Sequence, residues 1–180
     1  KWHKKNNCKL KPLVTQPVFF YCNPEADIVF IGEAPGKAED LEGRPFVGRS
    51  GKFLAEMLET IKMKRPDIYI TNTVKYRPPD NRDPEPDEIA ACWPWLTAEL
   101  NFIKPKIIIF LGRHALNRFF PKEKISEAHG KLLHEKIKGF DIEYFFLFYH
   151  PAAALYNGGM RETLIEDFNK IPLILKNIKK

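Results

Sequence analysis

The sequence predicts an α/β fold in which helices cover both faces of a parallel sheet. Four apolar runs, rich in β-branched and aromatic residues, are typical of buried strands. Helical patterns separate these runs, and strands that alternate with helices favour a parallel sheet. The predicted strands cover residues 26–33, 68–74, 106–111 and 142–149, with a shorter strand near 131–137.

The helices are predicted from apolar spacing and from residues that favour helix ends. Ser50 is placed to cap a helix. The apolar stripe of that helix comprises Phe53, Leu54, Met57, Leu58 and Ile61. Acidic residues within 85–88 favour a second helix start, and Pro94 predicts a kink or a further start. Two more helices are expected over about 113–120 and 160–178.

Length and composition bound the organisation of the chain. With 180 residues and 44% hydrophobic content, it can bury a sizeable core and is expected to form one domain over residues 1–180. Residues 1–25 carry no regular pattern and are expected to form an N-terminal arm.

Chemically useful side chains follow the predicted strands. Glu33 directly follows the first strand, within the turn Gly32-Glu33-Ala34-Pro35-Gly36. Asn72 lies in the second strand, and His150 follows the fourth. Ligands of open parallel sheets bind at the carboxyl ends of the strands. A carboxylate, an amide and an imidazole are therefore expected to meet in one pocket.

The basic residues allow two interpretations. The formal net charge is +6, but residues 1–11 contain five lysines and residues 170–180 contain four, without an acidic residue in either segment. Solvated tails could therefore account for the whole excess. A second group of basic residues lies in or beside the strand-end loops, where it would suit a phosphate backbone. This group comprises Lys37, Arg44, Arg49, Lys52, Lys75, Arg77, Arg82, Arg113 and Arg118.

The sequence also bounds the compartment. No run of about 18 apolar residues predicts a membrane span, and no signal-peptide pattern is visible. The odd number of cysteines, three, suggests a reducing environment. We expect a cytoplasmic, nucleoid-associated monomer.

Seven ordered motifs resemble one enzyme family. They are Gly-Glu-Ala-Pro-Gly at 32–36, Gly-Arg-Pro-Phe-Val-Gly at 43–48, Thr-Asn-Thr-Val-Lys at 71–75, Arg-Pro-Pro at 77–79, Asn-Arg at 81–82, Leu-Gly at 111–112 and His-Pro-Ala-Ala at 150–153. Together they resemble family-4 uracil-DNA glycosylases over about residues 5–175. The resemblance implies a three-layer α/β/α fold with a central four-stranded parallel sheet. It also implies hydrolysis of the bond between uracil and deoxyribose in DNA, which leaves an abasic site.

Each candidate residue has a chemical reason for its role in this reaction. The enzyme must first flip the nucleotide out of the stack, and Phe46 is expected to stack on the flipped base. The amide of Asn72 can accept from uracil N3 and donate to uracil O4, which cytosine would not match. His150 and backbone N–H groups of the 33–36 loop, including that of Ala34, are expected to stabilise charge on uracil O2. Glu33 is expected to orient water and stabilise the sugar cation.

The DNA-binding residues are predicted from charge and from the need to fill the vacated stack. The predicted phosphate contacts are Lys37, Arg44, Arg49, Lys75, Arg77 and Arg82. Leu155, in the loop after His150, is predicted as the apolar wedge. Many relatives carry Arg where Tyr156 stands here. The other histidines, His3, His114, His129 and His134, receive no role.

The cysteines depart from the family pattern. The family usually holds an iron–sulfur cluster on four cysteines. Cys8 and Cys92 match the second and fourth positions, but Lys5 and Tyr76 occupy the first and third. Cys22 falls at no ligand position. Because a cluster ordinarily needs four thiolates, we expect no cluster, no other cofactor and no metal.

Other function classes explain the sequence less well. A non-catalytic DNA-binding relative with the same fold is the main alternative, since cluster ligands are lost. A nucleotide-binding protein would use the 32–36 turn as a phosphate cradle, but the Gly-x-Gly-x-x-Gly and Walker spacings are missing. A zinc deaminase is excluded because the chain has no Cys-x-x-Cys. No lysine stands out as an amine nucleophile, and Lys37 is the nearest exception. Water is therefore expected to attack, and the DNA strand is expected to stay intact.

Overall fold

The computed structural model describes residues 6–21 and 23–178. Its centre is a six-stranded sheet with the order β1-β3-β2-β4-β6-β5. The strands are β1 Phe20–Tyr21, β2 Ile28–Gly32, β3 Tyr69–Asn72, β4 Ile107–Leu111, β5 Leu132–His134 and β6 Tyr144–Phe148. The four inner strands are mutually parallel, and the two edge strands pair antiparallel.

Helices connect the parallel strands. They are α1 Lys37–Glu42, α2 Arg49–Thr60, α3 Pro86–Ile103, α4 Arg113–Phe119, α5 Ile125–Ala128, α6 Gly158–Asn169 and α7 Ile171–Asn177. Short 3₁₀ turns cover Lys11–Leu13, Arg65–Asp67, Pro79–Asn81 and Pro151–Leu155. None of the helices in these described parts of the chain is long and apolar enough to cross a membrane.

The sheet separates two apolar cores. Alternate side chains of the inner strands point to opposite faces, as strand geometry requires. On one face, Phe30 and Ile109 pack with the apolar stripe of α2 and with Phe168 of α6. On the other face, Ile31 and Phe110 pack with α3 and α4. The predicted α/β/α layers and the four parallel strands are confirmed.

Several local predictions differ from the structure. Residues 20–21, predicted within an irregular arm, form the edge strand β1. Helix α2 begins after Gly48 rather than at Ser50. Helix α3 continues through Pro94. The predicted terminal helix is divided between α6 and α7, where Pro172 follows the first residue of α7 and favours a new helix start.

Candidate active site

The carboxyl ends of the inner strands meet at one pocket, as predicted. Gly32 at the end of β2 is in register with Asn72 at the end of β3. The backbone N–H of Gly112, directly after β4, donates to Phe148 at the end of β6 over 2.8 Å. The pocket has a volume of about 330 Å³, and its lining includes Glu33, Ala34, Phe46, Asn72, Arg82 and His150.

Asn72 presents a buried acceptor that the protein leaves unused. Its side chain is 2% exposed. A Cβ at position 32 would lie 2.4 Å from Asn72 Oδ1, so the glycine is what allows the amide to lie across β2. No hydrogen-bond donor within the described residues reaches Oδ1. Since a buried acceptor without a partner is costly, this atom is suited to receive a donor from a bound ligand.

Phe46 lies in the pocket wall but is far less exposed than expected. The sequence predicts an exposed aromatic platform, whereas the side chain is 5% exposed and packs into the core beside α2. Its ring centroid lies 5.8 Å from that of His150. Its backbone has a φ of +53°, which is unusual for a residue with a side chain. The glycine-rich loop thus turns the ring inward rather than toward solvent.

His150 is held as a neutral donor. Its Nδ1 accepts from the backbone N–H of Ala152 over 3.1 Å. The proton of the neutral ring therefore lies on Nε2. Burial lowers the pKa of His150 to about 4, so the ring is uncharged at neutral pH. Gly112, with a φ of +92°, leaves room for this ring, because a Cβ there would lie 3.0 Å from the Cβ of His150.

Glu33 is poised between its two protonation states. Burial, followed by the charge of the nearby Asp83, raises its pKa to about 7, and Arg113 opposes the shift. The carboxyl group therefore exchanges its proton near neutral pH. A group with this property can hold and deprotonate a water molecule.

His114, to which the sequence assigned no role, lies beside Glu33. Its Nε2 is 3.9 Å from a carboxylate oxygen of Glu33 and 3.2 Å from one of Asp83. The three ligand atoms lie within 4.8 Å of one another, which is close enough for a metal ion. However, Nε of Arg113 donates to the same His114 nitrogen over 3.0 Å and the guanidinium lies 3.5 Å from Asp83. The arginine already supplies positive charge there.

Neither His129 nor His134 lines the pocket. His129 Nδ1 lies 3.0 Å from a carboxylate oxygen of Asp167. His134 Nε2 lies 3.1 Å from Glu143, beyond the pocket on β5. His3 lies outside the described residues.

The predicted phosphate contacts fall into different environments. Lys37, Arg44 and Arg49 are exposed in the segment that carries Phe46. Arg77 donates to the side-chain oxygen of Asn81 over 2.7 Å. Arg82 lies at the pocket and forms a two-pronged ion pair with the buried Glu88, over 2.9 and 2.6 Å.

Lys75 does not contact solvent, so its predicted role in DNA binding is wrong. Its side chain is 0% exposed, and its ammonium group donates to Thr71 Oγ1, to the Asn72 carbonyl and to Glu99. Burial lowers the pKa of Lys75, and the charge of Glu99 opposes that shift. The ammonium group is thus enclosed by these three acceptors and is not accessible to a phosphate.

The wedge prediction falls on the turn that follows His150. Leu155 is half-buried at the end of this 3₁₀ turn, and the next residue, Tyr156, is 84% exposed. The tyrosine is therefore the more accessible of the two.

Sequence reasoning missed Glu39 and Asn81 in the pocket lining. Glu39 is 8% exposed and accepts from the backbone N–H groups of Gly36, Val47 and Gly48. Its position three residues after the helix cap Gly36 is the spacing of a capping box, which could have identified it. Asn81 has a φ of +55° within a proline-rich loop, and no periodic pattern marks it.

The cysteine site does not fit a four-thiolate cluster within the described residues. Cys8 and Cys92 pack together with Leu10, Val74 and the fully buried ring of Tyr76. The thiol of Cys92 lowers the pKa of Cys8 to about 7, and the same contact together with burial raises the pKa of Cys92. The described residues thus bring two thiols together beside a buried aromatic ring. Lys5 and Cys22 lie outside the described residues.

Comparisons with known proteins agree with this geometry. The family profile of the uracil DNA glycosylase superfamily matches residues 19–171. The chain belongs to this superfamily. It is 48% identical to a type-4 uracil-DNA glycosylase of Saccharolobus solfataricus, covering 93% of this chain and 80% of the relative. It is 44% identical to the type-4 enzyme of Archaeoglobus fulgidus, covering 91% and 84%. Identity to the type-4 enzyme of Thermotoga maritima is 39%, covering 86% and 80%.

Proposed function

We propose that this protein is a monofunctional uracil-DNA glycosylase that flips uracil out of DNA and hydrolyses its N-glycosidic bond. The observation that carries the proposal is the unused, buried Oδ1 of Asn72 in a pocket walled by Phe46 and His150. The relatives named type-4 uracil-DNA glycosylases, with identities up to 49%, support the same activity.

Base recognition follows from the donors and acceptors of the pocket. Uracil N3–H would donate to Asn72 Oδ1, and the amide nitrogen would donate to uracil O4. Cytosine presents an acceptor at N3 and a donor at N4, so both contacts would be mismatched. The ring of Phe46 would stack on the base within the pocket.

Bond cleavage follows from the protonation states of His150 and Glu33. As the bond from C1′ to N1 breaks, its electron pair moves onto uracil, and O2 gains negative charge. Nε2–H of the neutral His150 would donate a hydrogen bond to that oxygen. The Glu33 carboxylate would stabilise the positive sugar and take a proton from the water that attacks C1′. The uracil anion then leaves and is protonated by solvent.

The sequence around this pocket also suggests how DNA is held. Lys37, Arg44 and Arg49 are exposed and would contact phosphates. Arg82, which lines the pocket, and Arg77 would add further contacts. Leu155 would enter the vacated stack. We further propose that the protein acts as a monomer on uracil-containing DNA, single- or double-stranded, in the cytoplasm at the nucleoid.

The proposed enzyme uses no cofactor, because its chemistry needs only organic side chains and water. Protein purified under anaerobic, iron-replete conditions should carry far less than one iron per chain. As a matched control, the variant Lys5→Cys/Tyr76→Cys completes the four family positions and should gain the brown colour of an iron–sulfur protein. Stoichiometric iron and sulfide in the unaltered protein would contradict the proposed absence of a cofactor.

Release of free uracil from DNA tests the activity itself. Uracil-containing oligonucleotides should yield abasic sites that alkali converts to strand breaks, and EDTA should not prevent this. Without alkali the strand should stay intact, since water rather than an amine attacks. DNA binding without any uracil release would favour the alternative, a non-catalytic relative with the same fold.

A further inference from the structure

The loop that carries Phe46 is held in an unfavourable backbone conformation. The φ of Phe46 is +53°, a value that residues with a Cβ rarely adopt. Such conformations persist where the surrounding structure over-determines them, and they cluster at functional sites. The contacts that hold this loop therefore identify the residues that position the ring.

One side of the loop is bound by Arg65. Its guanidinium donates through Nη1 to the carbonyl of Phe46 over 2.7 Å and through Nη2 to the carbonyl of Pro45 over 2.8 Å. Burial lowers the pKa of Arg65, and the guanidinium lies 5.0 Å from the ring centroid of Tyr21 on β1. A planar fork of donors is what two successive carbonyls require, and lysine could not reproduce it.

The other side of the loop is bound by Glu39. One carboxylate oxygen accepts from the backbone N–H groups of Val47 and Gly48, over 2.9 and 2.8 Å. The other accepts from Gly36 over 3.1 Å. The peptide groups on both sides of Phe46 are thus fixed by two oppositely charged side chains from different segments, the buried Glu39 and the half-buried Arg65.

Gly51 completes the arrangement. A Cβ at this position would lie 1.9 Å from the carbonyl oxygen of Phe46, so only glycine lets that carbonyl approach α2 and turn toward Arg65. The ring of Phe46 is thereby directed at Gly32, where a Cβ would lie 2.7 Å from its Cζ.

We propose that Arg65, with Glu39 opposite it, is a positioning residue that holds the Phe46 ring at stacking distance for the flipped base. The proposal rests on the proposed function and extends it to two residues outside the reacting groups. Arg65 begins the turn that leads into β3, the strand that ends in Asn72. One short segment therefore sets the position of both the stacking ring and the base-reading amide.

A double-mutant cycle tests this role. Arg65→Ala should lower kcat/KM for uracil release by roughly fivefold to 150-fold, the range expected when stacking on one base is lost. In the Phe46→Ala background the same change should have less than about a twofold effect, because the ring through which Arg65 acts is missing. Equal losses in both backgrounds would overturn the proposal.

Two further variants guard against a general loss of folding. Arg65→Lys keeps the charge and the aliphatic part of the side chain, but only one carbonyl can be reached by its ammonium group. We therefore expect a loss of kcat/KM between that of Arg65→Ala and none. Arg161→Ala is the matched control. This arginine also lies over a ring, 4.3 Å from the centroid of Phe53, and pairs with Glu56. Among the described residues, the side-chain hydrogen bonds to the Phe46 loop come from Glu39 and Arg65 instead. Arg161→Ala should leave kcat/KM unchanged.

Hydrogen exchange separates this proposal from the proposed function. The amides of Val47 and Gly48 should exchange at least tenfold faster in Arg65→Ala than in the unaltered protein, while amides of β4 keep their protection. If the unaltered protein releases no uracil, the proposed function fails, and the exchange rates still decide whether Arg65 holds the loop. Unchanged exchange at both amides would refute the role of Arg65.

Discussion

Asn72 and Lys75 are three residues apart, and the structure uses them in opposite ways. Asn72 faces the pocket with a buried oxygen that no described residue satisfies. Lys75 faces the core, where its three donors meet three acceptors on Thr71, Asn72 and Glu99. The functional group here is therefore the one whose hydrogen bonds are left incomplete. A buried charge with every bond formed is part of the scaffold, even beside an active site.

The largest effect is expected on stability, when the hydrogen bonds and the ion pair of Lys75 are removed. Lys75→Met leaves the Glu99 carboxylate buried without its cation, which should lower the free energy of unfolding by about 3–5 kcal/mol. Urea denaturation measures this loss. The double variant Lys75→Met/Glu99→Leu removes both charges and should recover much of the stability. If Lys75→Met keeps its stability but binds DNA more weakly, the lysine is a phosphate contact after all.

His150→Ala is expected to have the largest effect on the chemistry. Removing one donor to a developing oxyanion typically lowers kcat by about 10²- to 10³-fold. Base preference should not change, because the proposed contact is to O2, which uracil and cytosine share. Single-turnover rates on oligonucleotides that contain either base provide the measurement. A shift in base preference would show that His150 reads the base as well.

Parts of this site could be predicted from the sequence, and other parts could not. Strand ends brought Glu33, Asn72 and His150 together as expected, because parallel strands place their carboxyl ends at one edge. The inward direction of Lys75 and the burial of Phe46 depend on tertiary packing that no local pattern encodes. β1 was missed because two residues, Phe20 and Tyr21, are too few for a periodic signal.

Other parts of the site were missed for related reasons. His114 stands next to Glu33 only because α4 begins beside the end of β2, a long-range relation that the sequence does not display. Arg65 acts on carbonyl groups, and backbone acceptors leave no mark in a sequence. Motif resemblance found the residues of the pocket but not those that hold it in shape.

Asn72→Asp tests the unused acceptor directly. A carboxylate cannot donate to uracil O4, so uracil excision should fall by about tenfold to a hundredfold or more. The same carboxylate can accept from cytosine N4, and weak cytosine excision is expected to appear. Asn72→Ala serves as the control, since it removes both contacts and should lose uracil excision without gaining cytosine excision. Full uracil excision by Asn72→Asp would disprove this mode of base reading.

Glu33 links activity to stability through its pKa. The folded protein holds this proton up to a pKa of about 7, above the ordinary value of 4.5. Between these values the unfolded chain has lost the proton and the folded chain has not, so the free energy of unfolding falls as pH rises through this window. Glu33→Gln should therefore stabilise the protein at pH 8 by about 1–3 kcal/mol and have little effect at pH 4.

Unfolding and the pH dependence of activity both test the raised pKa of Glu33. Urea denaturation should show that Glu33→Gln is stabilised at pH 8 and not at pH 4, whereas the exposed control Glu162→Gln should be stabilised at neither pH. The kcat/KM of the unaltered protein should fall as pH drops below about 7, because the carboxylate is the active form. His150, with a pKa lowered to about 4, should not contribute to this decline. A decline centred near pH 4 would contradict the raised pKa of Glu33.

The smallest effect is expected from Lys37→Ala on DNA binding. This variant distinguishes the basic residues beside the pocket from those of the lysine-rich terminal segments. Lys37, exposed at the start of α1, would contact one phosphate, whereas Lys176 belongs to the C-terminal lysine-rich segment. Each phosphate contact contributes about one unit to the slope of log K against log salt concentration. Lys37→Ala should therefore weaken binding to uracil-containing DNA modestly at low salt and reduce the slope by about one unit. Lys176→Ala should change neither quantity. Equal effects from the two lysines would mean that diffuse charge, rather than a rim around the pocket, attracts the DNA.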